Sequence, residues 1–434
     1  MTGSEWRRSA TALLAVTAMS LTVLAGCAPA SEGGGGGEGS DADNGTTLTM
    51  WARNTSNNLA QVIVFEYNRT HENQIELTTL PNDTYQQKVA AAAATGSLPD
   101  LLASDVVYSP NYVQQGLFLD ITDRLTAEPF FDDLSPAHIE AASLDGASFG
   151  VPFILDSSLI HYNKDLFEEA GLDPDTPPTD FDEIYEDAKA IRENVGGDTY
   201  GFYFAGNCAG CNAYTMFGYL AAAGEPPFLE DGTVANFDND VMREVLDLYK
   251  RMWDEGLVPE SAKTDDGSTW VNLFNQGTIG ILPRGTGNFL NMKDVTFAHG
   301  AVGLPAPDGS ATSGFVGGDV LAISSTSQNV DQAWDFIQWS LSGANQVDVI
   351  ARSGSLPSRV DLADNEYSSA NPEIVIAIEG LATGYTPATT GYGNAINSAT
   401  GPWLKMIRDY IFNGNPNALA EGEAAIQAAI DAVE

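Results

Sequence analysis

The spacing of hydrophobic residues in the first part of the chain alternates between the period of a strand and that of a helix. Strands are predicted at residues 46–51, 75–77 and 99–103. Helices are predicted between them, at residues 59–67, where Asn57 or Asn58 supplies the cap, and at residues 85–94. This order predicts an α/β fold with a parallel sheet. Ligands bind such sheets beyond the carboxyl ends of the strands.

The second part of the chain continues the α/β pattern. Two extended apolar segments, residues 151–156 and 159–163, lie nearly in line and predict a crossing between two lobes. Thr179 and Asp182 resemble a capping box at the start of a helix that continues to Ile191. The remaining predicted elements are a helix at residues 240–253, strands at 279–282 and 320–323, and a mostly helical region from 331 to the end.

The first 26 residues have the composition of a secretory signal. Arg7 and Arg8 precede an uncharged run of 18 residues, 9–26, a length at the lower limit of a membrane span. A basic start, an apolar run and small residues at a break indicate a signal peptide. The run leads into Leu-Ala-Gly-Cys, which resembles the lipobox of bacterial lipoproteins. We therefore predict a signal peptide at residues 1–26 and lipidation, with palmitate or a similar acyl chain, at Cys27.

Residues 27–45 are predicted to be a flexible tether. The segment is composed mainly of Gly, Ser, Glu and Asp. A segment with so few apolar side chains cannot offset the entropy of ordering itself. Anchor and tether together predict a protein held at the extracellular face of the cell membrane.

The charge balance is strongly acidic and excludes two classes of partner. The 434 residues contain 19 Lys and Arg against 59 Asp and Glu, for a formal net charge of -40. A nucleic-acid binder needs a basic surface to displace counterions, and attraction to anionic lipids also needs basic residues. We therefore expect no nucleic-acid partner, and the membrane is contacted only through the lipid.

The cysteines predict a disulfide more readily than a metal site. Apart from Cys27, the sequence contains Cys208 and Cys211, spaced as Cys-Ala-Gly-Cys. In an extracellular setting such a pair favours a structural disulfide, whereas a redox-active pair needs a thioredoxin-like context. The four histidines are scattered, so no zinc site is expected.

The sequence gives no signal for catalysis or for a cofactor. Gly285-Thr286-Gly287 lacks the third glycine of a dinucleotide fingerprint, and no phosphate-binding Gly-Lys-Ser/Thr run occurs. No Gly-x-Ser-x-Gly elbow occurs either. Carboxylates are so abundant that any two could be proposed as an acid–base pair. We expect a protein that is not an enzyme and needs no cofactor.

Aromatic, amide and carboxylate residues recur beside glycine turns at the predicted strand ends. Sugars suit such residues, because their C–H faces stack on rings and their hydroxyls need paired donors and acceptors. The candidate ligand-binding residues are Trp51, Asn54, Asp105, Asp156, Asn212, Tyr214, Gly287, Asn288, Gly318, Asp319 and Trp403. Trp270, Trp334 and Trp339 are instead assigned to the core.

The most distinctive segment of the chain is YNKDLFEEAGLDP at residues 162–174, followed by Pro177-Pro178-Thr179. Supporting segments are ATGSLPD at 94–100, QGLFLDIT at 115–122, FNQG at 274–277 and GSLPSR at 354–359. These segments resemble the extracellular solute-binding proteins of ABC importers, of the maltose-binding, family 1 kind. The resemblance covers nearly the whole chain after the signal peptide.

The resemblance implies a periplasmic-binding-protein-like type II fold, with two α/β lobes, a ligand cleft and several hinge crossings. By similarity, the N-lobe comprises residues 46–155 and 282–327, and the C-lobe comprises residues 156–281 and 328–434. The matching motifs imply that Gln86 also contacts ligand, that Asp156 is a hinge carboxylate and that Trp403 is an aromatic platform. Gly287 falls where the family often has an aromatic ring, which indicates fewer stacked rings here.

The function implied by the resemblance is capture of a sugar, most simply an oligosaccharide, by a monomer that delivers it to the membrane subunits of an ABC permease. Two alternatives stay open from the residues themselves. Asp105, Asp156 and Asp319 would also suit a polyamine binder. A cell-surface carbohydrate-active enzyme would require a fixed acid–base pair that the sequence does not identify.

Overall fold

The computed structural model describes residues 42–286, 295–381 and 383–433, and within them an α/β fold with fourteen strands. The predicted signal peptide, Cys27 and almost all of the predicted tether lie outside these residues. The strands are β1 Thr47–Arg53, β2 Gln74–Leu80, β3 Leu101–Asp105, β4 Ser143–Leu144, β5 Ala147–Ser148, β6 Val151–Asn163, β7 Tyr200–Phe202, β8 Phe228–Leu229, β9 Val234–Ala235, β10 Ile279–Gly285, β11 His299–Val302, β12 Leu304–Pro305, β13 Thr312–Ser313 and β14 Val316–Ile323.

Helices connect and cover these strands. They are α1 Asn57–Thr70, α2 Asn82–Thr95, α3 Ser109–Gln114, α4 Thr122–Leu125, α5 Pro136–Ala141, α6 Lys164–Ala170, α7 Phe181–Asn194, α8 Ala209–Ala222, α9 Asp240–Asp254, α10 Asn272–Asn275, α11 Val330–Leu341, α12 Gly343–Asn345, α13 Pro372–Leu381, α14 Tyr392–Ala395, α15 Pro402–Ile411 and α16 Ala418–Asp431. Short 3-10 turns and one π-helical turn at Gln346–Ile350 lie between them.

The central sheet has the strand order β2-β1-β3-β14-β6-β10-β7, and β11 pairs with β6 off this path. The two segments predicted at residues 151–163 form one continuous strand, β6. Its first half pairs with β14, and its second half pairs with β10 and β11. The crossing predicted from the sequence is therefore a single long strand shared by two parts of the sheet.

The described residues bury their side chains in two main cores, with a smaller cluster on the opposite face of β3. Leu101 and Ala103 of β3 face the first core, whereas Leu102 faces the opposite cluster, because successive strand residues point to opposite faces. The first core includes Leu48, Met50, Ile63, Tyr67 and Phe336. The second core, which is larger, includes Phe167, Ile184, Phe202, Phe217 and Tyr249.

The two cores do not follow the predicted boundaries at residues 282 and 327. Helix α11, predicted to belong to the C-lobe, buries Ala333 and Phe336 in the first core. Ala301 and Leu304, predicted to belong to the N-lobe, are buried in the second core. The chain therefore passes from the second core to the first along β14 and remains there through α11.

The ends of the helices agree with one predicted cap and differ from two others. Gly96 ends α2 in the left-handed conformation, as its position predicts. The predicted cap pair Thr179 and Asp182 is wrong by one residue. Asp180 is the N-cap of α7 and accepts from the backbone N–H of Glu183 at 2.8 Å, while the Glu183 side chain accepts from Thr179. Ser56 rather than an asparagine occupies the N-cap of α1.

The described residues contain neither a candidate membrane span nor a candidate metal site. No helix in residues 42–286, 295–381 and 383–433 is both long enough and apolar enough to span a bilayer. Over the same residues, no three His, Cys, Asp or Glu side chains are grouped in a way that could hold a metal ion.

Candidate functional site

A cleft of about 420 Å³ opens where β6, β14 and β10 meet the end of β1. This volume is within the usual range for small-ligand sites, roughly 300–1,000 Å³. Both cores contribute to its walls. The lining residues include Arg53, Asn58, Asn82, Asp105, Asp156, Cys211, Tyr214, Trp270, Thr286, Gly318, Ser355, Tyr392 and Asn397.

The structure brings four of the predicted site residues together in this cleft. They are Asp105, Asp156, Tyr214 and Gly318. Asp105 is the last residue of β3, and Asp156 lies at the middle of the crossing strand β6. Asp105 thus lies at the carboxyl end of a strand, where ligands bind in open α/β sheets, while Asp156 lies where β6 passes from β14 to β10.

The other predicted residues with described positions do not line the cleft. Asn54 accepts from the backbone N–H of Asn82, and Gln86 lies beside Gly393 at the edge of the site. The Asn212 amide is buried and donates to the carbonyls of Ala205 and Cys208. Trp51 packs beside the cluster on the opposite face of β3. Gly287 and Asn288 lie outside the described residues.

Trp403 is in the second core and cannot act as an exposed platform in this conformation. Its side chain is 0% exposed, and its indole Nε1 donates to the carbonyl of Ala209 at 3.0 Å. The ring packs against Phe217 and Phe237 at centroid distances of 5.1 and 5.3 Å. The reason is that Trp403 lies on the buried face of α15, where its ring contacts Ala209 and Phe217 of α8.

Trp270, predicted to lie in the core, packs against the second core as a half-buried side chain and also lines the cleft. Its side chain is half-buried and lies in the segment that connects a 3-10 turn at Glu260–Thr264 with α10. The sequence does contain one indication of this position. Trp270 lies in a loop between glycine and polar residues, so no amphipathic helix holds its ring in a core. A half-buried tryptophan ring therefore borders the cleft, and it belongs to Trp270 rather than to Trp403.

Arg53 is the principal site residue that the sequence analysis missed. Its guanidinium binds Asp105 at 2.6 Å and Asp319 at 2.6 to 2.7 Å, and it also donates to Asn82 and to the Gly318 carbonyl. These contacts occupy the donors of the guanidinium. Burial alone lowers the pKa of Arg53, but the two carboxylates outweigh this effect and raise it above its ordinary value.

The register of the sheet explains why a cation is needed at this point. Asp319 of β14 pairs directly with Asp105 of β3, which places two like charges opposite each other on neighbouring strands. The Asp319 side chain is 0% exposed, and that of Asp105 is 21% exposed. Burial raises the pKa of Asp105, although Arg53 acts to lower it. Asp319 is therefore a structural partner of Arg53 rather than a ligand contact.

Asp156 and Tyr214 form a second polar group on the opposite wall. Asp156 accepts from the hydroxyl of Thr286 at 2.5 Å and from the backbone N–H of Ser157 at 3.0 Å. Burial, followed by the nearby Asp156 carboxylate, raises the pKa of Tyr214 well above its ordinary value. The phenol of Tyr214 therefore stays protonated at neutral pH.

Two glycines make room for the Tyr214 ring. A Cβ at Gly285 would lie 2.9 Å from Tyr214 Cε1, and a Cβ at Gly317 would lie 2.9 Å from Tyr214 Cε2. Either contact is too short for a real side chain. The strands β10 and β14 therefore hold the ring between them, beside Asp156.

One hydrogen bond joins residues far apart in sequence at the edge of the cleft. Asn397 donates to the hydroxyl of Tyr108 at 2.6 Å, and the Tyr108 ring meets Tyr392 edge-to-face at 6.2 Å. Burial, followed by the Asp105 carboxylate, raises the pKa of Tyr108. The cleft is thus bordered by neutral hydroxyl and amide groups in addition to its carboxylates.

Comparison with known proteins agrees with this architecture. The chain belongs to the bacterial extracellular solute-binding proteins, whose family model matches residues 52–347. The periplasmic-binding-protein-like type II fold is confirmed by solved structures. The cyclic alpha-maltosyl-1,6-maltose binding protein of Arthrobacter globiformis has a TM-score of 0.76 and 24% identity, over 90% of this chain and 100% of that chain.

Two curated relatives are similar over most of their length. The diacetylchitobiose-binding protein of Streptomyces coelicolor is 23% identical over 382 residues, which cover 86% of this chain and 87% of the relative. The arabinooligosaccharide-binding protein of Halalkalibacterium halodurans is 25% identical over 352 residues, which cover 75% of this chain and 74% of the relative.

Proposed function

We propose that this protein binds a neutral carbohydrate in the cleft and delivers it to the membrane subunits of an ABC importer. The observation that carries the proposal is the composition of the cleft. Acceptors at Asp105 and Asp156 face a space that is also lined by the rings of Tyr214 and Trp270. A pyranose needs this combination, because its hydroxyls bind acceptors and its C–H face stacks on a ring. Membership of the solute-binding family and the sugar-binding relatives support the same function.

The polyamine alternative is less well supported than the sugar. Three carboxylates kept it open, and two of them, Asp105 and Asp319, are already paired with Arg53. A polycation at Asp105 would place a second positive charge beside this buried guanidinium, whereas a neutral hydroxyl would not. Asp156 is the remaining carboxylate of the three, and one carboxylate can accept from a sugar hydroxyl as well as from an amine.

The mechanism follows from the position of the cleft between the two cores. A sugar that contacts residues of both cores favours the closed arrangement over the open one. Shifting such an equilibrium from 1:99 to 99:1 requires about 5.5 kcal/mol of differential binding. We propose that the two lobes hinge at β6 and β14, and that the closed monomer docks on the permease without catalysing a reaction.

The sequence of residues 1–45 supports a lipid anchor at Cys27, which would hold the folded part of the chain at the outer face of the membrane. The net charge of -40 supports the absence of a nucleic-acid partner. In an intact cell, wild-type protein is expected in the membrane fraction. The Cys27→Ser variant is expected to be released into the medium. Retention of the variant in the membrane fraction would argue for a different anchor.

A thermal-shift panel with the purified protein tests the proposed ligand class. Maltotriose, arabinotriose, diacetylchitobiose, glucuronate and spermidine form the panel. A ligand at 100 times its Kd is expected to stabilise the fold by about 2.7 kcal/mol. We expect a shift with at least one neutral sugar and none with glucuronate. A shift with spermidine alone would replace the sugar assignment, and hydrolysis of any oligosaccharide would favour an enzyme.

The Asp156→Asn substitution tests whether the cleft is the binding site. Loss of a charged hydrogen-bond acceptor is expected to raise the sugar Kd by about 10- to 100-fold. Asp123→Asn is the matched control, since Asp123 is exposed on α4 and does not line the cleft. Isothermal titration of both variants measures the difference. Equal affinities would place the sugar elsewhere.

A further inference from the structure

The disulfide between Cys208 and Cys211 lies in the wall of the cleft. The two sulfurs are bonded, and Cys208 is the N-cap of α8, where its Sγ accepts from the backbone N–H of Cys211 at 3.1 Å. Gly210 and Cys211 both line the cleft, and Tyr214 follows one turn later on the same helix. Both cysteines are partly exposed. The disulfide is therefore part of the site surface and not a staple buried elsewhere.

The loop that carries Trp270 rests directly on this disulfide. Gly267 has φ +97°, and a Cβ there would lie 2.7 Å from Cys211 Sγ and 2.9 Å from Cys208 Sγ. Only glycine brings the backbone this close to both sulfurs. The Gly267 carbonyl in turn accepts from the backbone N–H of Trp270 at 3.5 Å, so the ring is three residues from the contact.

The other end of the loop is fixed by Asp265. Its Oδ1 accepts from the backbone N–H groups of Gly267 at 3.0 Å and Thr269 at 3.3 Å. Its Oδ2 accepts from the buried Tyr203 hydroxyl at 2.8 Å. Asp265 therefore orders the start of the loop, and the disulfide supports the turn from which Trp270 projects.

We propose that the Cys208–Cys211 disulfide positions Trp270 as the stacking wall of the ligand cleft, so that ligand affinity depends on the redox state of this pair. The part that concerns affinity rests on the proposed sugar-binding function. With the disulfide intact, the loop is ordered before ligand arrives, and binding avoids the cost of ordering it. With the disulfide reduced, the sulfurs separate and the turn at Gly267 loses its support.

The reduction is an exchange with a dithiol such as dithiothreitol. One reagent thiolate attacks a cysteine sulfur and forms a mixed disulfide, while the other cysteine leaves and takes a proton. The second reagent thiol then closes the oxidised ring and releases the first cysteine, also as a thiol. Two electrons and two protons pass to the protein. A sugar in the cleft covers Cys211 and is expected to slow the first step.

Hydrogen exchange measured by mass spectrometry tests the positioning without any ligand. Reduction of the purified protein is expected to speed amide exchange in residues 265–271. Exchange in α2, which does not touch the pair, is expected to stay unchanged. The Cys208→Ser/Cys211→Ser variant is expected to show the same fast exchange with or without reductant. Unchanged exchange in the loop would overturn the proposal, and uniformly fast exchange would show a purely global role.

Titration with maltotriose, arabinotriose and diacetylchitobiose tests the effect on affinity. For any sugar that binds the oxidised protein, reduction is expected to raise Kd by about three- to tenfold, the penalty for ordering the loop and its side chain on binding. In a Trp270→Ala background, loss of the disulfide is expected to change Kd by less than about twofold, because the two residues act through one wall. If loss of the disulfide raises Kd equally in the wild type and in Trp270→Ala, the disulfide does not act through Trp270.

Three cases are distinguished by these measurements. If the serine double variant does not fold, Gly267→Ala displaces the same turn with the disulfide intact and is expected to raise Kd in the same way. If none of the three sugars binds the oxidised protein while the exchange result holds, the sugar assignment fails and the positioning stands. If a sugar binds equally in both redox states, the proposed function stands and this inference fails.

Discussion

Replacing Arg53 with Ala is expected to lower the free energy of unfolding by about 3–5 kcal/mol at neutral pH, the cost of leaving buried charges without their partner. The substitution removes a guanidinium that contacts Asp105 and Asp319, whose Cα atoms are paired across β3 and β14. Asp319 is fully buried and cannot recover its solvation without local unfolding. Urea denaturation of wild type and variant measures the difference.

The loss of unfolding free energy in Arg53→Ala is expected to become smaller as the pH falls. Burial already raises the pKa of Asp105 in the wild type. A carboxyl with a raised folded-state pKa contributes stability that is fully present below its unfolded value, about 3.9, and is lost as the pH rises through the folded value. Without Arg53 this pKa is expected to rise further. The deficit of the variant should therefore shrink as the pH falls from 7 to 5.

Two further variants test whether the loss of stability comes from the contacts of Arg53 with Asp105 and Asp319 or from removal of an arginine in general. Arg69→Ala is the matched control, because Arg69 pairs with Glu66 on the exposed face of α1 and should contribute less than about 1 kcal/mol. In an Asp319→Asn background, Arg53→Ala should cost less than in the wild type, since one of the stranded charges is gone. A cost that is independent of both pH and Asp319 would contradict this explanation.

Gly318→Ala is expected to destabilise the fold by about 2–5 kcal/mol, from backbone strain and forced repacking. Gly318 has φ +113°, and a Cβ there would lie 1.8 Å from the carbonyl oxygen of Ile154 on β6. Neither atom belongs to a flexible side chain, so the strands must separate. The register between β14 and β6 shifts between Asp319 and Val320, directly after this residue. Thermal unfolding checks the prediction.

The control for this substitution is expected to change stability in the opposite direction. Gly380 lies in helix α13, and a Cβ there meets nothing within 4 Å. Ala at a helical position is favoured over Gly by roughly 0.5–1 kcal/mol. Gly380→Ala should therefore be neutral or stabilising. If both variants lose the same stability, the clash with Ile154 is not the cause.

The sequence by itself determined the class of fold and part of the cleft. The alternation of strand and helix spacing located β1, α1, β2, α2 and β3 within a few residues, because each element carries its own periodicity. Asp105 was found because it directly follows a buried strand, and Asp156 because it interrupts an apolar crossing segment. Both signals are local, so a single sequence contains them.

Only the tertiary structure decided which tryptophan lines the cleft. Trp403 and Trp270 have the same side chain, and the residues around each in the sequence do not predict which ring another element will cover. Contacts with Ala209 and Phe217 of α8 bury the Trp403 ring, while the disulfide holds the loop that leaves Trp270 half exposed. Exposure of a large ring depends on contacts between distant segments, which the local pattern does not record.

The role of Arg53 likewise belongs to the tertiary structure. Its carboxylate partners lie 52 and 266 residues away in the sequence. The sequence around Arg53, at the end of the first strand, does not indicate that its side chain will pair with either of these distant carboxylates. The antiparallel insertion of β14 between β3 and β6 brings Asp319 beside Asp105, and the repulsion between them is relieved only by a cation at the end of β1.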